Sequence, residues 1–406
     1  MKIVGLITEY NPFHNGHNYH IEKAKEITGA DFCIAVMSGD YVQRGAPAFL
    51  PKHLRAEMAL HGGCDMVIEL PVCFATGSAE YFASGAVNIL DNLGCVDSIC
   101  FGSECGDYNA LDKIAQTLAY EPFEYKNFLQ KHLKEGLSFP SARQQALESF
   151  FHDDKITSII RNPNNILGIE YIKAMIIRNS KMKGYTITRE DSSYHDEELS
   201  TKYSSASAIR KVFADNNKFP DFALLDGHMS DYSIQILKEQ YQRRYPVVSD
   251  DFSLLLRYKL LTETKESLRL YMDITPDLSN RIMNHKNEFI STSQFTNLLK
   301  TKELTYSRIS RCLIHFLLNI KNYNSTMDSY ARILGFRKES SELFSIIKKQ
   351  SHIPVITKLN TVDSLNEEQK TMLRADIFSS NLYESIISDK FKTPFINELT
   401  KQIVKY

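Results

Sequence analysis

Apolar runs alternate with amphipathic segments along the first half of the chain. KIVGLI, DFCIAVM, CDMVIELP and VDSICFG are short and rich in β-branched or other apolar residues, so each predicts a strand that is buried on both faces. The segments between them, at about 15–28, 52–61 and 78–92, carry apolar residues at helical spacing. Strands and helices that alternate in this way predict an α/β fold with a parallel sheet covered by helices.

The strand pattern fades in the second half. A helix at about 164–179, a strand at 184–190 and a Ser-capped helix at 204–213 complete the first region. Beyond about residue 215 helical spacing dominates, and helices are predicted near 233–244, 251–263, 303–320 and 366–376. We therefore expect an α/β domain over residues 1–215, followed by a mainly α-helical domain over 216–406.

Composition and charge narrow the classes of protein. The chain has 406 residues, of which 43% are hydrophobic and 24% charged, and this excludes a disordered or fibrous protein. The 48 Lys and Arg residues nearly balance the 49 Asp and Glu residues, so any nucleic-acid surface must be local. Residues 281–350 hold twelve Lys or Arg against five Asp or Glu, a local net charge of +7. Arg308 and Arg311 share a helix face there and are candidate RNA contacts, with a solvated basic face as the alternative.

Apolar stretches and cysteines indicate the cellular compartment and the metal content of the protein. The chain has no long apolar stretch, and its first residues lack the apolar region of a signal peptide, so we expect a cytosolic protein without membrane association. The seven cysteines are odd in number and have no C-x-x-C spacing. They are expected to be buried or half-buried thiols that act as small apolar groups, not disulfides or zinc ligands.

The segment TEYNPFHNGH, directly after the first predicted strand, carries the strongest chemical signal. A turn containing Asn11 and Pro12 brings His14 and His17 to the start of a helix, where a three-residue spacing puts them on one face. The unpaired amides and partial positive charge of a helix start bind phosphate, and two imidazoles add hydrogen bonds. Gly16 has no side chain, so a nucleotide can lie against the backbone. The segment therefore predicts a nucleotide site.

A second polar cluster lies at YSSASAIR (203–210). Ser204, Ser205 and Ser207 gather at a helix start and Arg210 follows, an arrangement that suits a polyphosphate. The alternative is an ordinary Ser-capped helix with a solvated Arg.

Two further groups have open interpretations. Lys52, His53 and Arg55 follow a long loop and either face substrate or lie on the solvated surface. Ser103 and Glu104 follow the fourth strand and either orient the adenine or ribose of a nucleotide or cap a helix.

Together, TEYNPFHNGH and SSASAIR resemble the nucleotidyltransferase superfamily with the HIGH-type signature, which includes the class I aminoacyl-tRNA synthetases. GLITEYNPFHNGH, MSGDYVQRGAPA, DMVIELP, FGSE and NNILGIEY closely resemble the bacterial tRNA(Met) cytidine acetate ligase family. The likeness covers residues 1 to about 213, and YARILGFR (330–337) resembles the RNA-binding part of the same family. Asp40 departs from the family, which more often has Asn there.

This resemblance implies a Rossmann-like, HUP-type nucleotidyltransferase domain in an ATP-dependent carbon–nitrogen ligase. Such an enzyme activates acetate with ATP to acetyl-adenylate and pyrophosphate. It then acetylates the exocyclic amine of the wobble cytidine of elongator tRNA(Met). Mg²⁺ would accompany the phosphates, with no metal site built from protein side chains.

The resemblance also assigns residues. The catalytic residues would be His14, His17 and Arg210. The nucleotide-binding residues would be Ile7, Thr8, Glu9, Tyr10, Asn11, Pro12, Phe13, His14, Asn15, Gly16, His17, Asn18, Tyr19, His20, Gly102, Asn164, Asn165, Arg189, Ser204 and Ser205.

Two other functions stay open on the sequence. The first is a nucleotidylyltransferase that adenylates a small phosphorylated metabolite, which would need only the first half of the chain. The second is a non-enzymatic RNA-binding protein with a degenerate nucleotide site. The basic window within the second half favours a macromolecular partner, and the joint presence of both histidines, Gly16 and Arg210 favours an enzyme.

Overall fold

The structure is a computed structural model that describes residues 1–189, 204–213, 219–321, 328–359 and 364–406. The boundary predicted at residue 215 lies outside the described residues, as do Glu190 and Tyr203 at the ends of two predicted segments. The described strands are β1 (Ile3–Thr8), β2 (Phe32–Ser38), β3 (Tyr41–Val42), β4 (Ala46–Pro47), β5 (Met66–Leu70), β6 (Ser98–Ser103), β7 (Lys183–Thr188), β8 (Ala331–Phe336), β9 (Val355–Ile356) and β10 (Val404–Lys405).

Helices connect and cover these strands. In chain order the described α-helices are α1 (Asn15–Thr28), α2 (Lys52–His61), α3 (Val72–Ala75), α4 (Ala79–Asn92), α5 (Tyr108–Tyr120), α6 (Phe123–Lys134), α7 (Phe139–Phe151), α8 (Asp154–Ile159), α9 (Pro163–Ile177), α10 (Ala206–Lys211), α11 (Asp231–Gln240), α12 (Ser253–Thr262), α13 (Lys265–Leu268), α14 (Pro276–His285), α15 (Thr292–Leu299), α16 (Tyr306–Leu317), α17 (Ser341–Gln350) and α18 (Glu367–Phe391).

The main sheet has the strand order β10-β8-β5-β2-β1-β6-β7, and β9 pairs with β8. The strands from β5 to β7 are parallel, which confirms the predicted parallel sheet. From β1 the chain moves outward through β2 and β5, and it then crosses to β6 and β7 on the other side of β1. The strand order therefore reverses between β1 and β6, and in open α/β sheets ligands bind beyond the carboxyl ends of the strands at such a point.

The central strands bury both of their faces. In β1, Ile3 packs into the core on the side of α4 and α9, whereas Val4 and Leu6 pack into the core on the side of α1 and α2. All three side chains are at most 2% exposed. Burying one such side chain contributes about 1.5–3 kcal/mol. This two-sided burial explains why the strands appear in the sequence as nearly continuous apolar runs.

The second half of the chain is mostly helical, but it also contributes strands to the sheet. β8 pairs antiparallel with β5, and β10 pairs parallel with β8. The stretch YARILGFR is therefore largely a sheet strand, whereas we placed it in a helical region. The helices of this half share one apolar core with α3 and α4, through residues such as Phe295 and Phe316. The division at residue 215 stays a prediction.

Arg55 lies neither on the surface nor in a substrate cleft, which contradicts both interpretations of this group. Its side chain is fully buried, and its guanidinium donates to the carbonyls of Leu50, Glu9, Ser38 and Gly39. Because Glu9 follows β1 and Ser38 ends β2, Arg55 ties together the carboxyl ends of these two strands.

Lys52 is also fully buried and belongs to an ionic cluster. Its Nζ lies 2.6 Å from Glu69 and 2.7 Å from Glu398, and Arg332 pairs with the same two carboxylates. Asp40 accepts the backbone N–H of Lys52 at 2.8 Å. Asp40 therefore has a structural role at the start of α2. The cluster fastens the C-terminal residues to α2 and β5.

The cysteines are buried or half-buried in the structure. All seven cysteines are described and are free thiols. Within the described ranges, no three His, Cys, Asp or Glu side chains gather into a metal site. No described helix combines the length and the apolar character needed to cross a bilayer.

Candidate functional site

A cleft of about 690 Å³ opens beyond the carboxyl ends of β1, β6 and β7, beside the first turn of α1. This is the place that the reversal of strand order predicts. The sequence-predicted residues that line it are Ile7, Thr8, Glu9, Tyr10, Asn11, His14, Gly16, His17, Tyr19, His20, Gly102, Asn164, Arg189, Ser204, Ser205 and Arg210.

His14 and His17 form a reciprocal cap at the start of α1. Nδ1 of His14 accepts the backbone N–H of Gly16 at 3.1 Å, and Nδ1 of His17 accepts the backbone N–H of His14 at 3.2 Å. A neutral imidazole that accepts at Nδ1 carries its proton on Nε2. The cap therefore assigns both rings the tautomer in which Nε2–H is a donor, and both side chains line the cleft.

The histidines of the cleft are held in the neutral form. Burial, together with the guanidinium groups of Arg189 and Arg210, lowers the pKa of His14 to about 3. Burial and the neighbouring His14, Arg189 and His20 lower the pKa of His17 well below its usual value. Burial and Arg189 lower the pKa of His20 to about 4. At neutral pH the positive charge of this wall therefore comes from its arginines, and the imidazoles act as neutral donors.

Arg210 reaches the cleft from the last turn of α10. Its guanidinium donates to the carbonyl of Asn11 at 2.6 Å and to Oγ of Ser207 at 2.9 Å. Ser205 caps the helix by accepting the N–H of Ala208. For Ser205, this agrees with the alternative interpretation of an ordinary Ser-capped helix. The contact with Asn11 places Arg210 beside the turn that precedes His14. The two polar segments of the sequence therefore meet in space.

Gly102 and Arg189 are neighbours at the ends of β6 and β7. A Cβ atom at Gly102 would lie 3.1 Å from Cγ of Arg189, which is closer than most real contacts of this kind. The backbone N–H of Arg189 also donates to the carbonyl of Ser103 at 3.0 Å. The absence of a side chain at Gly102 thus leaves room for Arg189 in the cleft.

Five of the predicted nucleotide-binding residues do not line the cleft. Phe13 is buried against Tyr10, and Asn15 donates to the carbonyl of Gly227. Asn165 accepts the backbone N–H groups of Glu104 and Cys105. The five residues are Pro12, Phe13, Asn15, Asn18 and Asn165.

Glu104 acts as a helix cap. Its carboxylate accepts the backbone N–H groups of Asn164 and Asn165 at 3.2 and 2.8 Å, in the first turn of α9. This favours the capping interpretation over contact with adenine or ribose. The carboxylate nevertheless helps to position the wall of the cleft, because Asn164, whose N–H it accepts, lines the cleft.

A second wall of the cleft was missed by the sequence analysis. It comprises the hairpin of β3 and β4, the aromatic rings of Phe49 and Phe213, residues 246–249 and Lys390. Nζ of Lys390 holds this wall together by donating to the carbonyl of Pro246 at 3.0 Å and to Asp251 at 2.8 Å. These residues come from both halves of the chain and share no motif, so only the three-dimensional fold brings them together.

Two features distinguish the floor of the cleft. Phe82, Phe101 and Tyr171 form an apolar end, and each of them is at most 5% exposed. Of the described residues that line the cleft, Glu9 alone carries a carboxylate. Its Oε1 accepts the backbone N–H of Gln43 at 2.8 Å, which joins the end of β1 to the hairpin.

The candidate RNA contacts lie outside this cleft. Arg308 and Arg311 are both half-buried on α16. Burial lowers the pKa of Arg311, and the carboxylate of Asp273 opposes this shift. Neither arginine has a fully solvated side chain.

Comparison with known proteins identifies the family. The family model described as HIGH Nucleotidyl Transferase matches residues 1–397. The tRNA(Met) cytidine acetate ligase of Acetivibrio thermocellus is 43% identical over 392 residues, which are 94% of each chain. That of Clostridium botulinum is 39% identical over 98% of each chain. The chain belongs to the tRNA(Met) cytidine acetate ligase family. The protein is therefore a ligase, as the sequence predicted.

Solved structures agree with this assignment. The apo crystal structure of Thermotoga maritima TmcAL superposes with a TM-score of 0.93 at 30% identity, covering 100% of this chain and 99% of that one. The crystal structure of the same protein bound to alpha-thio ATP superposes with a TM-score of 0.91 at 31% identity, covering all of both chains. The predicted nucleotidyltransferase fold is confirmed.

Proposed function

We propose that this ligase activates acetate with ATP and transfers the acetyl group to the exocyclic amine of the wobble cytidine of elongator tRNA(Met). The proposal takes its substrates from the names of the relatives. The observation that carries it is that one cleft of about 690 Å³ gathers His14, His17, Arg189 and Arg210 at a helix start. This set of donors suits the triphosphate of a nucleotide. Because the acceptor is a tRNA, we place the reaction in the cytosol.

In the first step, a carboxylate oxygen of acetate attacks the α-phosphorus of ATP. The bond from that phosphorus to the bridging oxygen of the β-phosphate breaks, and pyrophosphate leaves with the electron pair. The protein contributes positioning and charge stabilisation, so a nucleophilic side chain is not required. The Nε2–H groups of His14 and His17 would donate to the α-phosphate oxygens, and Arg210 would pair with the departing phosphates.

Mg²⁺ fits this site as an ion carried by the phosphates. Bound there, it would neutralise charge on the leaving pyrophosphate. Magnesium keeps several waters and needs only one or two protein carboxylates. Glu9 is the carboxylate available among the described lining residues. The donor set therefore accommodates the ion, and the arginines carry the remaining charge.

In the second step, the exocyclic amine of cytidine attacks the carbonyl carbon of acetyl-adenylate. The bond from that carbon to the phosphate oxygen breaks, AMP leaves, and the amine nitrogen loses one proton. The apolar end at Phe82, Phe101 and Tyr171 would keep water away from the mixed anhydride. Exclusion of water protects a reactive intermediate from hydrolysis.

Labelled acetate tests the proposal directly. The protein is incubated with labelled acetate, ATP, Mg²⁺ and total tRNA, and the tRNA is digested to nucleosides. We expect the label in acetylated cytidine from elongator tRNA(Met), together with acetate-dependent release of pyrophosphate.

Two results would contradict the proposal. Release of pyrophosphate that depends on a small phosphorylated metabolite and not on acetate would favour the nucleotidylyltransferase alternative. Binding of tRNA without any pyrophosphate release or labelled nucleoside would favour a non-enzymatic RNA-binding protein.

A further inference from the structure

The hairpin of β3 and β4 connects the cleft to the basic helix α16. On the cleft side, the backbone N–H of Gln43 donates to Glu9, and Arg44 lines the mouth of the cleft with an exposed side chain. On the other side, Oγ of Ser310 donates to the carbonyl of Gly45 at 2.6 Å and is itself buried. The tip of the hairpin therefore lies between the cleft and α16.

Gly45 is required for this contact. Its φ of +72° lies in the left-handed region, where a side chain is strained. A Cβ atom would also lie 2.3 Å from the backbone nitrogen of Arg311. The backbone of the hairpin thus rests directly on the backbone of α16, and the position of Arg44 depends on this contact.

Three arginines are thereby brought to one edge. Arg44 is bonded to Gly45, which contacts the backbone of Arg311, and Arg308 lies one turn earlier on α16. We call Arg308, Arg311 and Arg44, which lead from α16 to the cleft wall that Arg44 lines, the basic strip. We infer that this strip carries the RNA acceptor to the cleft, with Arg44 binding a backbone phosphate next to the nucleotide that reacts. The inference rests on the proposed function.

The position of Arg44 on the hairpin that rests on α16 favours RNA over ATP as its ligand. The wall with the buried His14 and the half-buried His17 and Arg210 already supplies donors for a triphosphate. Arg44 lies on the second wall of the cleft, on the hairpin that contacts α16. A guanidinium there can pair with a phosphate oxygen of the acceptor through charge-assisted hydrogen bonds.

The test measures KM for tRNA in acetylation and KM for ATP in acetate-dependent pyrophosphate release without tRNA. The variants are Arg44→Ala, the charge-retaining Arg44→Lys, Ser310→Ala, which removes the hydrogen bond to Gly45, and Arg374→Ala. Arg374 is an exposed arginine that does not line the cleft, so its variant is the matched control.

We expect Arg44→Ala to raise KM for tRNA by about tenfold. In this variant, the slope of log tRNA affinity against log salt concentration should also become shallower by roughly 0.7–0.9. Arg44→Lys, which keeps the charge, should have a KM for tRNA close to that of wild type. Ser310→Ala should raise KM for tRNA, and the Arg374→Ala control should match wild type.

Three outcomes separate this inference from its alternatives. A rise in KM for ATP as large as that for tRNA would overturn it in favour of a nucleotide contact. Unchanged tRNA kinetics and an unchanged salt slope in Arg44→Ala would also overturn it. If the wild-type protein acetylated no tRNA, the proposed function itself would fail, whatever the variants did.

Discussion

Nδ1 of His17 accepts the backbone N–H of His14 at 3.2 Å, and the two imidazole rings stack with their centroids 3.7 Å apart. Each ring therefore fixes the orientation of the other while its Nε2–H remains a donor for the cleft. A side chain that acts only through such a donor can be removed with little damage to the fold.

We expect His17→Ala to lower the rate of acetyl-adenylate formation by about 10²–10³, because one donor to the transition state is lost. The loss of the cap should lower the free energy of unfolding by about 1 kcal/mol. Rates come from acetate-dependent pyrophosphate release, with the exposed His352→Ala as the control. A near-wild-type rate for His17→Ala would show that this donor is not used.

Arg210→Ala should raise KM for ATP more than KM for acetate. The guanidinium lies beside the α1 turn and would pair with phosphate oxygens, and acetate has no phosphate. Lys211→Ala changes the exposed neighbour of Arg210 on α10 and controls for general loss of charge. An equal change in both constants would argue that Arg210 only supports the fold through its hydrogen bond to Asn11.

The stability of the fold should fall as the pH drops below about 6.5. The pKa of His14 is lowered to about 3 and that of His20 to about 4, so the folded state excludes protons that the unfolded chain binds near pH 6.5. Folding stability therefore rises with pH up to that value. Lowering the pH from 7 to 5 should reduce the free energy of unfolding by about 2 kcal/mol for each of these two histidines.

Urea unfolding at pH 5 and pH 7 checks this prediction. His20→Asn should show a smaller pH difference than wild type, whereas the exposed His352→Asn should show the same difference. Equal pH differences in wild type and His20→Asn would contradict the assignment of His20.

Glu398→Gln should destabilise the protein by about 3–5 kcal/mol, because it leaves the buried charges of Lys52 and Arg332 with one counterion fewer. Adding Lys52→Met to this variant should recover part of the loss. The control is Glu339→Gln, whose carboxylate is exposed, and such a surface pair contributes about 0–1 kcal/mol. Equal unfolding free energies for the two single variants would disprove the importance of the cluster.

Local patterns were enough to predict much of the fold. The helix expected at 52–61 is α2, and the runs expected to be strands in the first half became β1, β2, β5, β6 and β7. These elements have strong periodicity and glycine or polar ends. The two segments predicted to bind a nucleotide both contribute residues to the cleft, and the first could be predicted because a strand followed directly by a capped helix is a local feature.

The missed features all depend on partners that are distant in the chain. β8 is a strand because it pairs with β5 on one side and with β10 on the other, and no alternation in its sequence indicates this. Arg55 looks like a surface residue, yet it is buried because four carbonyls surround it. The wall at 246–249 lines the cleft only after the second half has packed against the first.

The ionic cluster around Lys52 also has a consequence for synthesis on the ribosome. Lys52 hydrogen-bonds to Ser380, which is 328 positions later, and its counterion Glu398 is translated later still. A nascent chain can form the early strands while Lys52 has only Asp40 and Glu69 as counterions, and burying the cluster without Glu398 would cost several kcal/mol. A premature stop codon before Glu398 would therefore weaken this buried cluster, although the histidine and serine segments of the cleft would already have been translated.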